Sequence, residues 1–128
     1  MKVLKSIIAI CVIAFAIPSF GQSSNIKTIK FKVDGVCGMC KERIETAADI
    51  KGVKYVNWSV ETHVCEVTYR TDKVTQEDIF KAITAVGHDT EKLKASDDAY
   101  SNIHGCCRYR SKETQDAHKK EHSDHNHE

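Results

Sequence analysis

The apolar residues of this chain change their spacing repeatedly between Ile29 and Val86, and that rhythm limits the folds open to it. Ile29, Phe31 and Val33 alternate with Lys30 and Lys32, the period-two pattern of a strand with one buried face. A loop with two glycines, "DGVCGMC", follows. "CKERIETAADIKG" then sets Cys40, Ile44, Ala47 and Ala48 at helical spacing, with Gly52 as a stop signal. "VKYVNWSVET" and "HVCEVTYR" are rich in β-branched and aromatic residues, so they read as two strands with only Glu61 and Thr62 between them. "TQEDIFKAITAVG" is a second helix. Thr75 caps it, Asp78 completes a capping box, Ile79, Ile83 and Val86 form its apolar stripe, and Gly87 ends it. "HDTEKLKA" is expected to add a last strand, although its alternation is poor. This order predicts an α+β domain of the ferredoxin-like βαββαβ type over residues 25–95, an antiparallel sheet with both helices on one face.

A length of 128 residues suits one such domain with flanking segments. Lys2 and Lys5 precede an unbroken apolar run from Ile7 to Ile17, followed by Pro18, Ser19 and Gly21, which is the layout of a signal peptide over residues 1–21. The run is shorter than the roughly 20 residues a membrane-spanning helix needs. The expectation is export to the periplasm or another extracytoplasmic compartment, with no membrane span after cleavage; a retained anchor is the alternative. Residues 96–110, "SDDAYSNIHGCCRYR", suggest a short helix capped by Ser96 and a Cys-Cys turn. Residues 111–128, "SKETQDAHKKEHSDHNHE", show no apolar periodicity and are expected to be a disordered, His-rich tail. A net charge of +1 leaves no electrostatic footprint for nucleic acid. No nucleophile–base–orienter set or phosphate-binding glycine loop is apparent, so the chain does not read as an enzyme.

Five of the six cysteines lie beyond the apolar run. An odd number argues against a complete disulfide framework, even in an oxidising compartment. Cys37 and Cys40 fall at the start of the first helix, where unsatisfied N–H groups and the helix dipole favour negative charge. Both thiols are therefore expected to ionise below the free value of about 8.5. Two soft sulfurs suit Cu(I) or Hg(II), whereas Zn(II) normally takes four ligands. In so sparse and exposed a site, a partner's thiolate can attack the bound ion, and metal passes by ligand exchange. The rivals are an inert disulfide or turn and a thiol–disulfide oxidoreductase. "CGMC" looks like the thioredoxin Cys-Gly-Pro-Cys, but it lacks the preceding Trp and the proline, and the strand order around it differs.

Together, "VDGVCGMCKERIE", "GVKYVNWSVETHVCEVTY" and "DIFKAITAVGHD" resemble, in order and without large gaps, the heavy-metal-associated domain family over Ile26 to Lys94. That family includes copper chaperones, modules of copper-exporting ATPases and periplasmic mercury-binding proteins. The resemblance implies an exported soft-metal carrier, for Cu(I) first and Hg(II) or Zn(II) next. Its partner would be a metal-transporting membrane protein or another Cys-x-x-Cys protein. A scavenger that holds metal without transferring it is the alternative, and one ion shared by two loops would bridge a dimer. One departure stands out. The family usually reads Gly-Met-Thr-Cys-x-x-Cys, with the Met packed under the loop. Here Gly35 and Val36 precede Cys37, and Met39 lies between the cysteines.

Other residues carry weaker signals. The resemblance puts His88 beside the metal loop, as a third ligand or a charge-tuning neighbour; otherwise it is an ordinary loop histidine. Cys65, in phase with Val67 and Tyr69, reads as core. His104, Cys106 and Cys107 form "HGCC", which offers a second soft-metal site, extra thiols for the first loop, or merely a flexible thiol pair. His118, His122, His125 and His127, with Asp116, Glu121, Asp124 and Glu128, make a tract that can hold Cu(II), Zn(II) or Ni(II) weakly. Such binding should fade below pH ~6 as the imidazoles protonate.

Overall fold

The structure is a computed structural model that describes residues 24–124, with side chains described through residue 120. The apolar run of residues 1–21, His125, His127 and the side chain of His122 lie outside the described residues. The elements are β1 (Ile26–Lys32), α1 (Gly38–Ala48), β2 (Val53–Trp58), β3 (Val64–Arg70), α2 (Gln76–Ala85), α3 (Asp97–Ser101), a 3₁₀ turn (Gly105–Cys107) and α4 (Lys112–Asp124). The strands form an antiparallel sheet in the order β1-β3-β2. This is the ferredoxin-like α+β arrangement that the periodicity predicts.

Two expected features differ. The fourth strand is reduced to one antiparallel bridge, Val33 with Thr90, beside β1. Asp34 N–H donates to the Asp89 carbonyl (2.9 Å) and Glu91 N–H to that of Lys32 (3.0 Å), but the Thr90 N–H turns away to the Leu93 carbonyl (2.8 Å). The Thr90 hydroxyl oxygen also accepts from Leu93 N–H at 2.9 Å. A local side-chain turn thus competes with the ladder and ends it. The hairpin between β2 and β3 is also longer than Glu61 and Thr62. It spans Ser59 to His63, with His63 at φ 59 and its ring stacked on Trp58.

α2 starts with the expected reciprocal cap. Asp78 N–H donates to the Thr75 hydroxyl (3.1 Å), and Thr75 N–H donates to the Asp78 carboxylate (3.0 Å). The helix buries Ile79, Phe80 and Ile83. On β3, Cys65, Val67 and Tyr69 point into the same core as Phe31, Ile44 and Trp58, so Cys65 is a core residue. The Phe31 and Phe80 rings meet edge to face at 4.7 Å. Lys30 and Glu66 pair on the opposite, solvated face of the sheet.

The segment after Ala95 folds back onto the domain. Ile103, Cys107 and Tyr109 are buried within the same core cluster. α4 is a helix where the sequence pattern predicts disorder. Its Lys, Glu and Gln residues are good helix formers. Polar contacts hold it: Gln115 donates to the Tyr109 carbonyl, and His118 Nε2 donates to that of Cys106. Neither contact leaves a trace in hydrophobic periodicity.

Candidate metal centre

The loop that carries the Cys-x-x-Cys pair rests on Trp58. This side chain is fully buried, and its indole N–H donates to the Val33 carbonyl at 3.0 Å. A side chain at Gly35 would meet the indole ring at 2.9 Å, so only glycine lets the loop lie so close. Val36 is buried as well. An indole therefore fills the space under the loop where the family resemblance leads one to expect a methionine. Glu45 and Lys41 lock this corner. The Glu45 carboxylate accepts from Trp58 N–H at 2.9 Å, and Lys41 donates to the Trp58 carbonyl at 2.8 Å.

Cys37 is the N-cap of α1, extended at φ −151 and ψ 178, and its carbonyl accepts from Lys41 N–H at 3.0 Å. Cys40 follows in the first turn, fully buried. Their sulfurs lie 3.7 Å apart. A third sulfur joins them from far along the chain: Cys107 Sγ lies 3.6 Å from Cys37 Sγ. The ligand atoms of Cys37, Cys40 and Cys107 all lie within 4.8 Å of one another.

Cys107 is held there by its neighbours. The Tyr109 hydroxyl donates to the Gly87 carbonyl at 2.7 Å and accepts from Asp89 N–H at 2.9 Å. Arg110 forms a fork on the Asp89 carboxylate, with contacts of 3.1 and 2.8 Å, and covers the Tyr100 ring at 4.3 Å. Gly87, at φ 98, admits Ile103 and the Ala99 carbonyl, each 2.7 Å from where a side chain would begin. The segment is thus fastened to the loop that follows α2.

The three thiols are not equivalent. Burial opposes ionisation of Cys37. The Cys40 backbone N–H, the Cys107 and Cys40 thiols and the Met39 N–H outweigh it, and bring Cys37 below the ordinary thiol range. Burial pushes Cys40 up despite its hydrogen bonds. This corrects the expectation that both thiols of the pair are lowered: the deeper sulfur loses more hydration than the helix start returns. Burial pushes Cys107 up to about 11, against the hydrogen-bonded Arg43 side chain, which favours its thiolate. Cys65 is pushed up to about 12, chiefly by burial.

His88 is fully buried. Its Nδ1 lies 2.8 Å from the Asp34 carbonyl and must donate to it, which leaves Nε2 to accept from Arg43 at 3.5 Å. Burial lowers its pKa. His88 is therefore a neutral strut between the metal loop and Arg43, outside the set of converging sulfurs. His104 is exposed and caps the 3₁₀ turn, and His118 is tied to the Cys106 carbonyl. Neither belongs to the three-sulfur group, which is the only such cluster among the described residues. Cys106 is exposed, with its sulfur 4.0 Å from Cys107 Sγ and 3.7 Å from Met39 Sδ. Arg43, Asp89, Tyr109 and Arg110 were not singled out by the sequence. The "CCRYR" run was the one local hint, since it puts an aromatic and two cations directly after the thiols.

A model of the heavy-metal-associated domain matches residues 30–89. A solution structure of a protein assigned copper-ion binding, from Bacillus anthracis str. Ames, is 30% identical with a TM-score of 0.51, and the match covers 54% of this chain and 100% of that one. The CopZ metallochaperone is 30% identical with a TM-score of 0.48, over 50% of this chain and 98% of its own. Oxidised MerP from Ralstonia metallidurans CH34 is 25% identical with a TM-score of 0.49, over 52% and 94%. No curated protein sequence matches.

Proposed function

Since the chain belongs to the heavy-metal-associated domain family, we propose that it is an exported carrier of a soft metal ion, Cu(I) ahead of Hg(II) or Zn(II). The observation that carries this reading is the convergence of Cys37, Cys40 and Cys107 within 4.8 Å. Thiolates about 2.3 Å from an ion stand about 4.0 Å apart in a trigonal array. The 3.6 and 3.7 Å separations here, with the third pair within 4.8 Å, need only a small adjustment to admit one. Three sulfurs, with no fourth ligand in the group among the described residues, suit Cu(I) or Hg(II) better than Zn(II). The assignment of copper-ion binding to the Bacillus anthracis relative supports the same choice.

Delivery follows from the same chemistry. Cys37 is the part-exposed sulfur of the three. A thiolate from a metal-transporting membrane protein or another Cys-x-x-Cys protein would attack the ion there and displace the chain's own sulfurs in turn. The basic start and apolar run of residues 1–21 are the basis for export. No helix among the described residues is long and apolar enough to cross a membrane.

The test is an anaerobic Cu(I) titration of reduced protein against a competing chelator, with Cys37→Ser, Cys40→Ser and Cys107→Ser in parallel. One tight equivalent should bind. Affinity should fall at least a hundredfold in the first two variants and about tenfold or more in the third. Unchanged affinity in Cys37→Ser and Cys40→Ser would overturn the assignment. Mixing with a Cys-x-x-Cys acceptor then separates a carrier from a scavenger: a carrier passes metal faster than it releases it to the chelator.

A further inference from the structure

Two further sulfurs lie just outside the three-thiol group. Met39 projects from the first turn of α1 and is 45% exposed, one of the few large apolar side chains that is. Cys106 is exposed at the 3₁₀ turn. Met39 Sδ lies 3.7 Å from Cys106 Sγ, although 67 positions separate them in the chain. From Cys106 the next sulfur is Cys107 at 4.0 Å, then Cys37 at 3.6 Å, then Cys40 at 3.7 Å. Five sulfurs thus form a row from solvent to the buried base of the loop. No step in it is longer than the spacing, about 4.0 Å, that one ion with metal–sulfur bonds of about 2.3 Å can span. The Cys-Cys turn is anchored by His118 on the Cys106 carbonyl (3.1 Å) and by Cys107 N–H on the His104 carbonyl (2.9 Å).

We infer that Met39 and Cys106 form a surface loading site, which accepts a soft monovalent ion and relays it through Cys107 to Cys37 and Cys40. The inference rests on the metal-carrier reading and extends it by naming the path. A thioether and one exposed thiolate hold an ion weakly, because the thioether is uncharged and solvent competes. That weakness suits a first landing. Cys107 then gives up its proton to water as its sulfur bonds the ion, and the Met39 bond breaks. Cys37 and Cys40 bond next, each releasing a proton. Cys106 lets go and takes one proton back. Counting the proton that Cys106 releases when the ion lands, four protons leave and one returns, the ion keeps its oxidation state, and at no stage is it without sulfur ligands. Adjacent cysteines suit this handover: one sulfur of the pair faces solvent while the other faces the buried set.

The roles separate by rate and affinity. Loading of the reduced full chain with Cu(I) from a competing chelator should be followed by stopped flow, with equilibrium competition run alongside. Cys106→Ser and Met39→Leu should keep equilibrium affinity within about twofold and one ion bound, yet load at least tenfold more slowly. Both positions are exposed, so folding should be untouched, and circular dichroism checks it. Met39→Cys should retain fast loading, since it keeps a sulfur. Unchanged loading rates in both variants would overturn the relay while leaving the carrier reading intact. A large loss of affinity in Cys106→Ser would also overturn it, by making Cys106 a resident ligand. If the parent chain binds no Cu(I) tightly, both readings fall together.

Discussion

Arg43 stands between the thiols and the buried histidine, with its side chain hydrogen-bonded to Cys107 and 3.5 Å from His88 Nε2. Three thiolates around a monovalent ion would carry a net charge of −2, and a nearby cation offsets part of it. Arg43→Met should therefore weaken Cu(I) binding about tenfold, ~1.4 kcal/mol, with Arg43→Lys recovering part of the loss. Competition titration measures this, and equal affinities in all three proteins would remove Arg43 from the site. The unequal thiols make a second prediction. Cys37 is lowered by the hydrogen bonds at the helix start, while burial raises Cys40 and takes Cys107 to about 11. In metal-free protein at neutral pH, an alkylating reagent should label Cys37 before Cys40 or Cys107. Its rate should rise at lower pH than that of an unperturbed thiol. Peptide mapping by mass spectrometry reads the order, and earlier labelling of Cys40 would contradict it.

Between elements, the contact that matters most is the fastening of residues 96–110 to the loop after α2. The Tyr109 hydroxyl serves both the Gly87 carbonyl and the Asp89 N–H in a buried setting. Tyr109→Phe removes both bonds and leaves a buried donor and a buried acceptor unmatched. It should cost about 1–3 kcal/mol, seen as a lower denaturation midpoint. A change within error would mean that water replaces the hydroxyl. The Arg110 fork on Asp89 adds a pH dependence. Burial pushes the Asp89 carboxyl up, but Arg110 and the Ala95 N–H outweigh it and hold the pKa below the ordinary value. A carboxyl depressed in the folded state contributes fully above its unfolded pKa of about 3.9. That contribution fades as pH falls from there through the folded value. Stability should therefore decline on acidification below about pH 4 in the parent chain, and less steeply in Asp89→Asn. Parallel pH profiles would show that this pair contributes nothing.

For the whole molecule, the proposed role of Cys107 would make each chain self-sufficient. A loop with two thiolates leaves room for a second copy to supply the rest of the coordination. A third thiolate from the same chain closes the set and disfavours a bridged pair. The parent chain should stay monomeric at one Cu(I) per chain. Cys107→Ser should form dimers near half an equivalent, and analytical ultracentrifugation distinguishes the two. Dimers of the parent chain at the same loading would mean that Cys107 does not occupy the third position.

The local features were legible in the sequence. Alternation at Ile29, Phe31 and Val33, the Thr75–Asp78 cap and the inward phase of Cys65 each depend on residues a few positions apart, where period and capping chemistry act directly. The same holds for Cys37 and Cys40 at the start of a helix. The reduced fourth strand was harder to foresee, because a Thr90–Leu93 turn competes with the ladder through a single hydroxyl. Only the tertiary structure decided that Cys107 meets Cys37 across 70 positions and that Trp58 props the loop at Gly35. It also made His88 a strut and brought Met39 against Cys106. Each of these depends on how buried aromatics and part-buried polar contacts orient one segment against another. Such orientation is fixed by close packing in three dimensions, which the linear spacing of residues does not encode.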